Sequence, residues 1–328
     1  MQKSTSQKTR FQKMNDLDPI VAGLNDNQDL NQKEVLELFV DLFSEKAPDE
    51  ISQDFLTDYL KIKEFEENDQ SPLASRLHEE ISTIDIDFYS RYIKDLESDG
   101  IVFAPFYGPD YPDLLWNIPD PPLCLYINGD VTALEDGVAV VGTRSAKEHR
   151  LEFVREIAHT LVEMEKTVIS GLANGVDAAA HQGALEAGGE TIAVLPGEVQ
   201  KVVPAGNRGI GEQIPENGAL VSETSSKVGI HRGRFVERNR ITSGISTAVI
   251  IGASGETGGT IHQADFAMKQ EKPRLLYDPE VDDCQSPDKL FEKGFRGFQT
   301  LDELRELLNS DFTPSDTSSQ SPTTLDDY

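Results

Sequence analysis

Residues 137–146 read GVAVVGTRSA. Val138, Ala139, Val140 and Val141 form an apolar run without alternation, rich in β-branched residues, and this predicts a strand buried on both faces. Gly142 ends the run and permits a sharp turn. From about residue 146 to 164, Val154, Ile157, Ala158 and Leu161 fall at the three-and-four spacing of a helix. A strand, a tight turn and a helix make the first half of a parallel crossover unit.

The same pattern recurs downstream. KTVISG (166–171) leads to a predicted helix near 177–187, and ETIAVLPG (190–197) follows. ALVSE (219–223) precedes a segment that reads as helical over Phe235 to Ile241. TAVIIG (247–252) runs into a helix around 260–270, and KPRLLY (272–277) closes the series. Short apolar strands alternating with helices predict an α/β fold, a mostly parallel sheet with helices on both faces.

Upstream, the pattern is different. Residues 101–130 contain six prolines, which argue against a helix, and 99–130 is expected to be a proline-rich extended connector along one edge of the sheet. Residues 31–98 read as a small helical region. Val35, Leu38, Phe39 and Leu42 share one helical face, and Phe55, Leu56, Tyr59 and Leu60 share another. A third helix covers 86–100 and stops at Gly100. Residues 1–30, polar and rich in Asn, Asp and Gln, are expected to be disordered. So is the tail at 311–328, while 280–310 contributes a short helix, LDELRELL.

The 328-residue chain carries 58 acidic against 30 basic residues, a formal net charge of −28. The excess is spread along its length, which suits a cytoplasm of very high salt, where screening tolerates self-repulsion; a halophilic source is the expectation. No apolar run approaches a membrane span, and MQKSTSQKTRFQKM (1–14) lacks the apolar core of a secretory signal, so a cytoplasmic location is expected. The two cysteines, Cys124 and Cys284, exclude a disulfide scaffold.

Against this acidity stands KVGIHRGRFVERNR (227–240), with Lys227, Arg232, Arg234, Arg238 and Arg240 opposed only by Glu237. Exposed ion pairs contribute about 0–1 kcal/mol each, a poor reason to gather five cations in one window. In a parallel sheet, ligands bind beyond the carboxyl ends of the strands. Those ends carry GTRSAK (142–147), SGLANGVDAAAH (170–181), Pro196–Gly197 and GASGETGGT (252–260). Glycine turns expose backbone N–H groups and arginine presents a fork of donors, so these turns together predict a phosphate-binding edge. Neither GxGxxG nor GxxxxGK[ST] occurs. Of Arg238 and Arg240, one is expected to reach the phosphate edge and the other to buttress Glu223 or Glu237. Phe235 is expected in the core, Asp177 capping its helix, and His181 beneath a glycine loop. The six histidines are scattered and no HExxH or Cys/His spacing appears, so neither a metal site nor a cofactor is expected, and no catalytic residue is assigned.

These stretches resemble the DNA-processing protein A family, also called the Smf family. The resemblance covers roughly 100–277 through DYPDLLWNIPDPPLCLYINGD, VVGTRSA, VISGLANGVDAAAHQGALEAGGETIAVLPG, NGALVSE, RFVERNRITSGIS and TGGTIHQADFA. It implies a Rossmann-like core, placed at 131–279, that binds single-stranded DNA without catalytic turnover. It also implies a homodimer that protects the strand and promotes loading of a RecA-type recombinase in natural transformation or related DNA processing. With the residues read above, the expected phosphate-binding set is Gly142, Thr143, Arg144, Lys147, Ser170, Gly171, Gly175, Arg238, Asn239, Arg240, Gly258 and Gly259. Lys201, Arg232 and Arg234 are expected to extend the track. The chain departs from the family in having Val203 before Pro204 where a Tyr–Pro pair is common, and TGGTIHQA where SGSLITA is common. A fainter likeness reaches nucleoside-monophosphate phosphoribohydrolases, whose PGGxGTxxE glutamate is here replaced by Gln263. That hydrolase and a scaffold without nucleic acid are the alternatives.

Overall fold

The computed structural model describes residues 16–310 apart from 28, 67–71, 135, 256–258 and 279–286. The parts of 1–30 and the tail 311–328 outside those limits, both expected to be disordered, fall among the residues not described.

One nine-stranded sheet organises the chain. Its strands are β1 (Ile101–Pro105), β2 (Cys124–Gly129), β3 (Gly137–Gly142), β4 (Thr167–Ser170), β5 (Thr191–Val194), β6 (Gly218–Ser222), β7 (Ser246–Ala253), β8 (Arg274–Tyr277) and β9 (Arg296–Phe298), in the order β1-β2-β6-β5-β4-β3-β7-β8-β9. From β6 to β9 all pairings are parallel, while β1 and β2 are antiparallel. The chain starts the parallel part at β3, winds outward to β6, then returns to β7 on the other side of β3. The order therefore reverses between β3 and β7, where the ends of both strands open a crevice.

The unalternating sequence of β3 is explained by what covers it. Val138 and Val140 pack with Val154, Ile157 and Leu161 of the helix Glu148–Glu163, while Ala139 and Val141 pack with Ile251, Ala264 and Leu276 on the opposite face. The helices Val176–Glu186 and Leu301–Asn309 share the first face, and Gly259–Lys269 covers the second. Among the described residues no helix is long and apolar enough to cross a membrane.

Several expectations upstream and downstream are corrected. The stretch 99–130 is no mere connector, because β1 and β2 join the sheet with a short 3-10 turn, Asp113–Asn117, between them. Its prolines fall in the loops and at the strand end, where no ladder bond is lost. Asp18–Asp26 is a helix, not a disordered stretch, with Ile20, Val21 and Leu24 almost wholly enclosed. The helical region also holds Pro72–Thr83, and Leu24, Phe39, Leu56 and Leu77 belong to one core with Leu125, Ile127, Ile192 and Val221 of the sheet. Downstream, β9 adds a strand to a segment expected to hold only a helix.

Candidate anion-binding cleft

The crevice at the reversal point is a cleft of about 400 Å³. Four chain segments supply its walls: Gly142 and Arg144 after β3, Gly171 and Asp177 after β4, Arg232 to Asn239 after β6, and Gly259, Thr260 and Gln263 after β7. The basic segment reaches it from the far strand β6 in two short helices, Arg232–Glu237 and Asn239–Gly244, which meet at Arg238 and replace the single helix expected there.

Close packing of backbone makes the hollow. A Cβ on Gly142 would stand 2.5 Å from the Ala253 carbonyl and 2.6 Å from Val176. Gly175 holds φ +83°, and a Cβ there would stand 2.4 Å from the Thr143 carbonyl. Thr143 ties the turn together: its N–H donates to Ala253 (3.0 Å), its carbonyl accepts from the Val176 N–H (3.2 Å), and its hydroxyl accepts from the Ser145 N–H (3.3 Å).

Three arginines face the hollow. Arg144 is exposed, its guanidinium 5.4 Å from the centre of the Phe235 ring, and Arg232 is exposed beside it. Arg238 is buried and donates to the Val194 carbonyl at 2.8 Å. Its nearest carboxylate oxygen, on Asp177, lies at 3.6 Å, and its Nε has no hydrogen-bond partner among the described residues. A buried donor without an acceptor is costly, so Arg238 is held in place at an energetic cost.

Among the described residues Asp177 is the single acid lining the cleft. Burial raises its carboxyl above the ordinary range, against the pull of Arg238 and the Ala173 N–H. Burial likewise lowers Arg238, with Asp177 opposing and Arg144 adding to the shift. His181 lies beneath the floor, wholly enclosed, its Nε2 2.6 Å from the Gly171 carbonyl and its Nδ1 2.7 Å from the Thr191 hydroxyl. Burial holds it down to about 4, so it is neutral. A carbonyl can only accept, so Nε2 carries the proton; the Thr191 hydroxyl, which also stands 2.8 Å from the Val168 carbonyl, shares its single hydrogen between that carbonyl and Nδ1.

The structure brings Gly142, Arg144, Gly171, Arg238, Asn239, Gly259 and Arg232 together on the walls, with Gly175 and Thr143 shaping the turns. Other expected members stand elsewhere. Ser170 is buried and spends its hydroxyl on the Val140 carbonyl at 2.7 Å. Arg240 faces away: its Nε donates to Asp120 at 3.0 Å and its guanidinium to Glu223 at 2.5 Å. Burial alone would lower Arg240, but Glu223 and Asp120 outweigh it and raise it. Of the two directions expected for the pair, Arg238 takes the cleft and Arg240 takes Glu223. Arg234 is buried and paired with Glu237 at 3.4 Å. Lys201 pairs with Glu198, and Lys147 precedes the helix Glu148–Glu163, both off the cleft wall. Gly258 lies outside the described residues.

Two wall residues were assigned other roles by the sequence. Phe235 is half-buried, under Arg144, and not in the core; its place between arginines in RGRFVER was the available signal. Gln263 donates to the Asn239 carbonyl at 3.2 Å and so joins the last turn to the basic segment.

A family model described as DNA recombination-mediator protein A matches residues 103–309. Protein Smf of Synechocystis is 40% identical over 164 residues, which is 48% of this chain and 41% of the relative. The DNA processing protein DprA of Bacillus subtilis is 29% identical over 225 residues, 66% of this chain and 75% of the relative. Among solved structures, DNA processing protein A of Streptococcus pneumoniae superposes with a TM-score of 0.72 at 24% identity, covering 89% of this chain and 98% of that one. The Helicobacter pylori protein of that name, whose structure was described for its single-stranded DNA binding mode, gives 0.58 at 26% identity, covering 63% and 95%.

Proposed function

The chain belongs to the DNA recombination-mediator protein A family, and from that premise we propose that its cleft grips the phosphates of single-stranded DNA. The carrying observation is that Arg144 and Arg238 line one hollow with the glycine turns Gly142, Gly171 and Gly259. Among the described residues, Arg144, Arg232 and Arg238 against Asp177 leave a cationic pocket in a strongly acidic chain. A hollow of about 400 Å³ admits a nucleotide but not a duplex. Steering by a broad charged surface fades in high salt, so short directional bonds from arginine forks must supply the affinity. The Helicobacter pylori relative, described by its single-stranded DNA binding, supports the same ligand.

The direct test is retention of a single-stranded oligonucleotide against a duplex in about 1–3 M KCl, for the wild type and Arg144→Ala. Single-strand preference that is weakened in the variant supports the assignment; equal binding by the two proteins refutes it.

Beyond binding, the proposed role is protection of the strand and its transfer to a RecA-type recombinase in the cytoplasm, during natural transformation or related processing. We place it as a homodimer acting without turnover. Recombinase filament assembly on a covered strand, with and without the protein, reads out the loading step, and light scattering reads out the dimer.

A further inference from the structure

The basic segment that walls the cleft is anchored at its beginning by a residue about 200 positions away. Asp26 ends the helix Asp18–Asp26. One of its oxygens accepts from the Ser225 N–H at 3.2 Å; the other accepts from the Ser225 hydroxyl and from the Tyr89 phenol at 2.9 Å. Arg234 stands within its electrostatic reach. Next to it, Asn25 donates to the Glu223 carbonyl at 2.6 Å, so two neighbouring side chains hold the exit of β6. A carboxylate at the carboxyl end of a helix is opposed by the helix dipole, so its own helix does not explain it. Burial disfavours its charge as well. Both facts point to a use in the segment it touches.

We propose that Asp26 is the positioning residue of the strand-binding segment: as a carboxylate it fixes Ser225 and draws Arg234, and thereby sets where Arg232, Phe235 and Arg238 stand around the cleft. This role presupposes that the cleft binds the strand. The helical region, through this residue, then becomes part of the binding apparatus.

Titratable and charged groups face Asp26 from each element packed around it. Tyr89 and Tyr92 come from the helix Ile86–Ser98, Cys124 and Tyr126 from β2, and Ser225 and Arg234 from the segment itself. Glu80, Asp85 and Lys227 line the cavity beside it. Tyr89 is raised by burial and by Asp26, so the phenol keeps its proton and donates. Asp26 itself is raised above the ordinary carboxyl range, chiefly by burial. Acidification therefore neutralises it before most surface carboxylates.

The experiment compares wild type, Asp26→Asn and Ser225→Ala for binding a fluorescent oligothymidylate between about pH 8 and pH 5. Near pH 8, Asp26→Asn is expected to bind about 3–10-fold more weakly, and Ser225→Ala more weakly by a smaller factor. The ratio of wild-type to Asp26→Asn affinity should fall toward one on acidification, while titration of all other groups cancels. Equal affinity at pH 8 overturns the proposal. Amide hydrogen exchange over 225–238 without DNA decides the positioning separately. Faster exchange in Asp26→Asn supports it even if no protein retains the oligonucleotide, which would sink only the DNA reading; unchanged exchange overturns it.

Discussion

The guanidinium of Arg238 lies directly against the α-carbon of Gly171. A Cβ built on that glycine would stand 1.9 Å from one terminal nitrogen and 2.1 Å from the other. A single methyl at Gly171 therefore occupies the place of the buried cation. Gly171→Ala should expel Arg238 from the cleft wall, abolish most strand binding and lower stability by about 1–3 kcal/mol through overpacking. Gly209→Ala, where a Cβ meets nothing within 4 Å, is the control for adding a methyl as such. Binding by Gly171→Ala equal to the wild type would show that Arg238 is not needed where it stands.

Arg144 is exposed and rests on Phe235, so its loss should leave the fold intact. Arg144→Ala is expected to weaken strand binding by about tenfold, to a similar degree for every base sequence, because a phosphate contact carries no base information. The slope of log affinity against log salt should shrink by about one. Titrations with homopolymers of different bases over several KCl concentrations check both points.

The parts of this site that the sequence disclosed are those tied to local chemistry. Valines in an unbroken run announce a doubly covered strand, and glycines at the strand ends announce turns that crowd backbone against backbone. Arg238 and Arg240, two residues apart, diverge by roughly 200° around a helix, so the spacing states that they part without stating which one meets the ligand. That choice belongs to Glu223 and Asp120, which capture Arg240 from loops distant in sequence. Strand β9 was illegible for another reason: of its three residues only Phe298 is buried, so no apolar run exists to be seen. DPIVAGLND (18–26) does hold an apolar face, but nine residues set among Asn, Asp and Gln are outweighed by their surroundings.

Arg240 should matter for stability and not for the strand. Arg240→Met leaves Glu223 buried without its cation, and the unfolding free energy should drop by about 3–5 kcal/mol. Adding Glu223→Met should recover much of the loss, since a buried pair replaced by apolar groups is often near neutral. Denaturant titration of the single and double variants tests this; a single variant as stable as the wild type would contradict the burial of the pair.

His181 predicts a limb of acid sensitivity. The unfolded imidazole takes up a proton below about pH 6.5, whereas the buried one does so only at about 4. Its share of stability is complete above about pH 6.5 and is lost as pH falls toward 4, roughly 3 kcal/mol in all. Asp177, raised by burial, acts with the opposite sign and gains on acidification. Comparing wild type with His181→Gln cancels that contribution, and the variant should show a flatter curve over this window.

The spread of 58 acids against 30 bases predicts a protein that gains stability with salt. The unfolding midpoint should climb between about 0.1 M and 2 M KCl as screening relieves repulsion. A midpoint indifferent to KCl would show that the acidity has another cause.

The bonds from Asn25 and Asp26 to the exit of β6 span 198 and 199 residues. A ribosome adding about 5–20 residues per second makes the helix Asp18–Asp26 some 10–40 s before those partners exist. The earliest helix among the described residues is thus the one whose last contacts form late. Until then Ile20, Val21 and Leu24 have only the helices Pro72–Thr83 and Ile86–Ser98 and the strands β1 and β2 to rest on, and the two bonds to the exit of β6 close that assembly last.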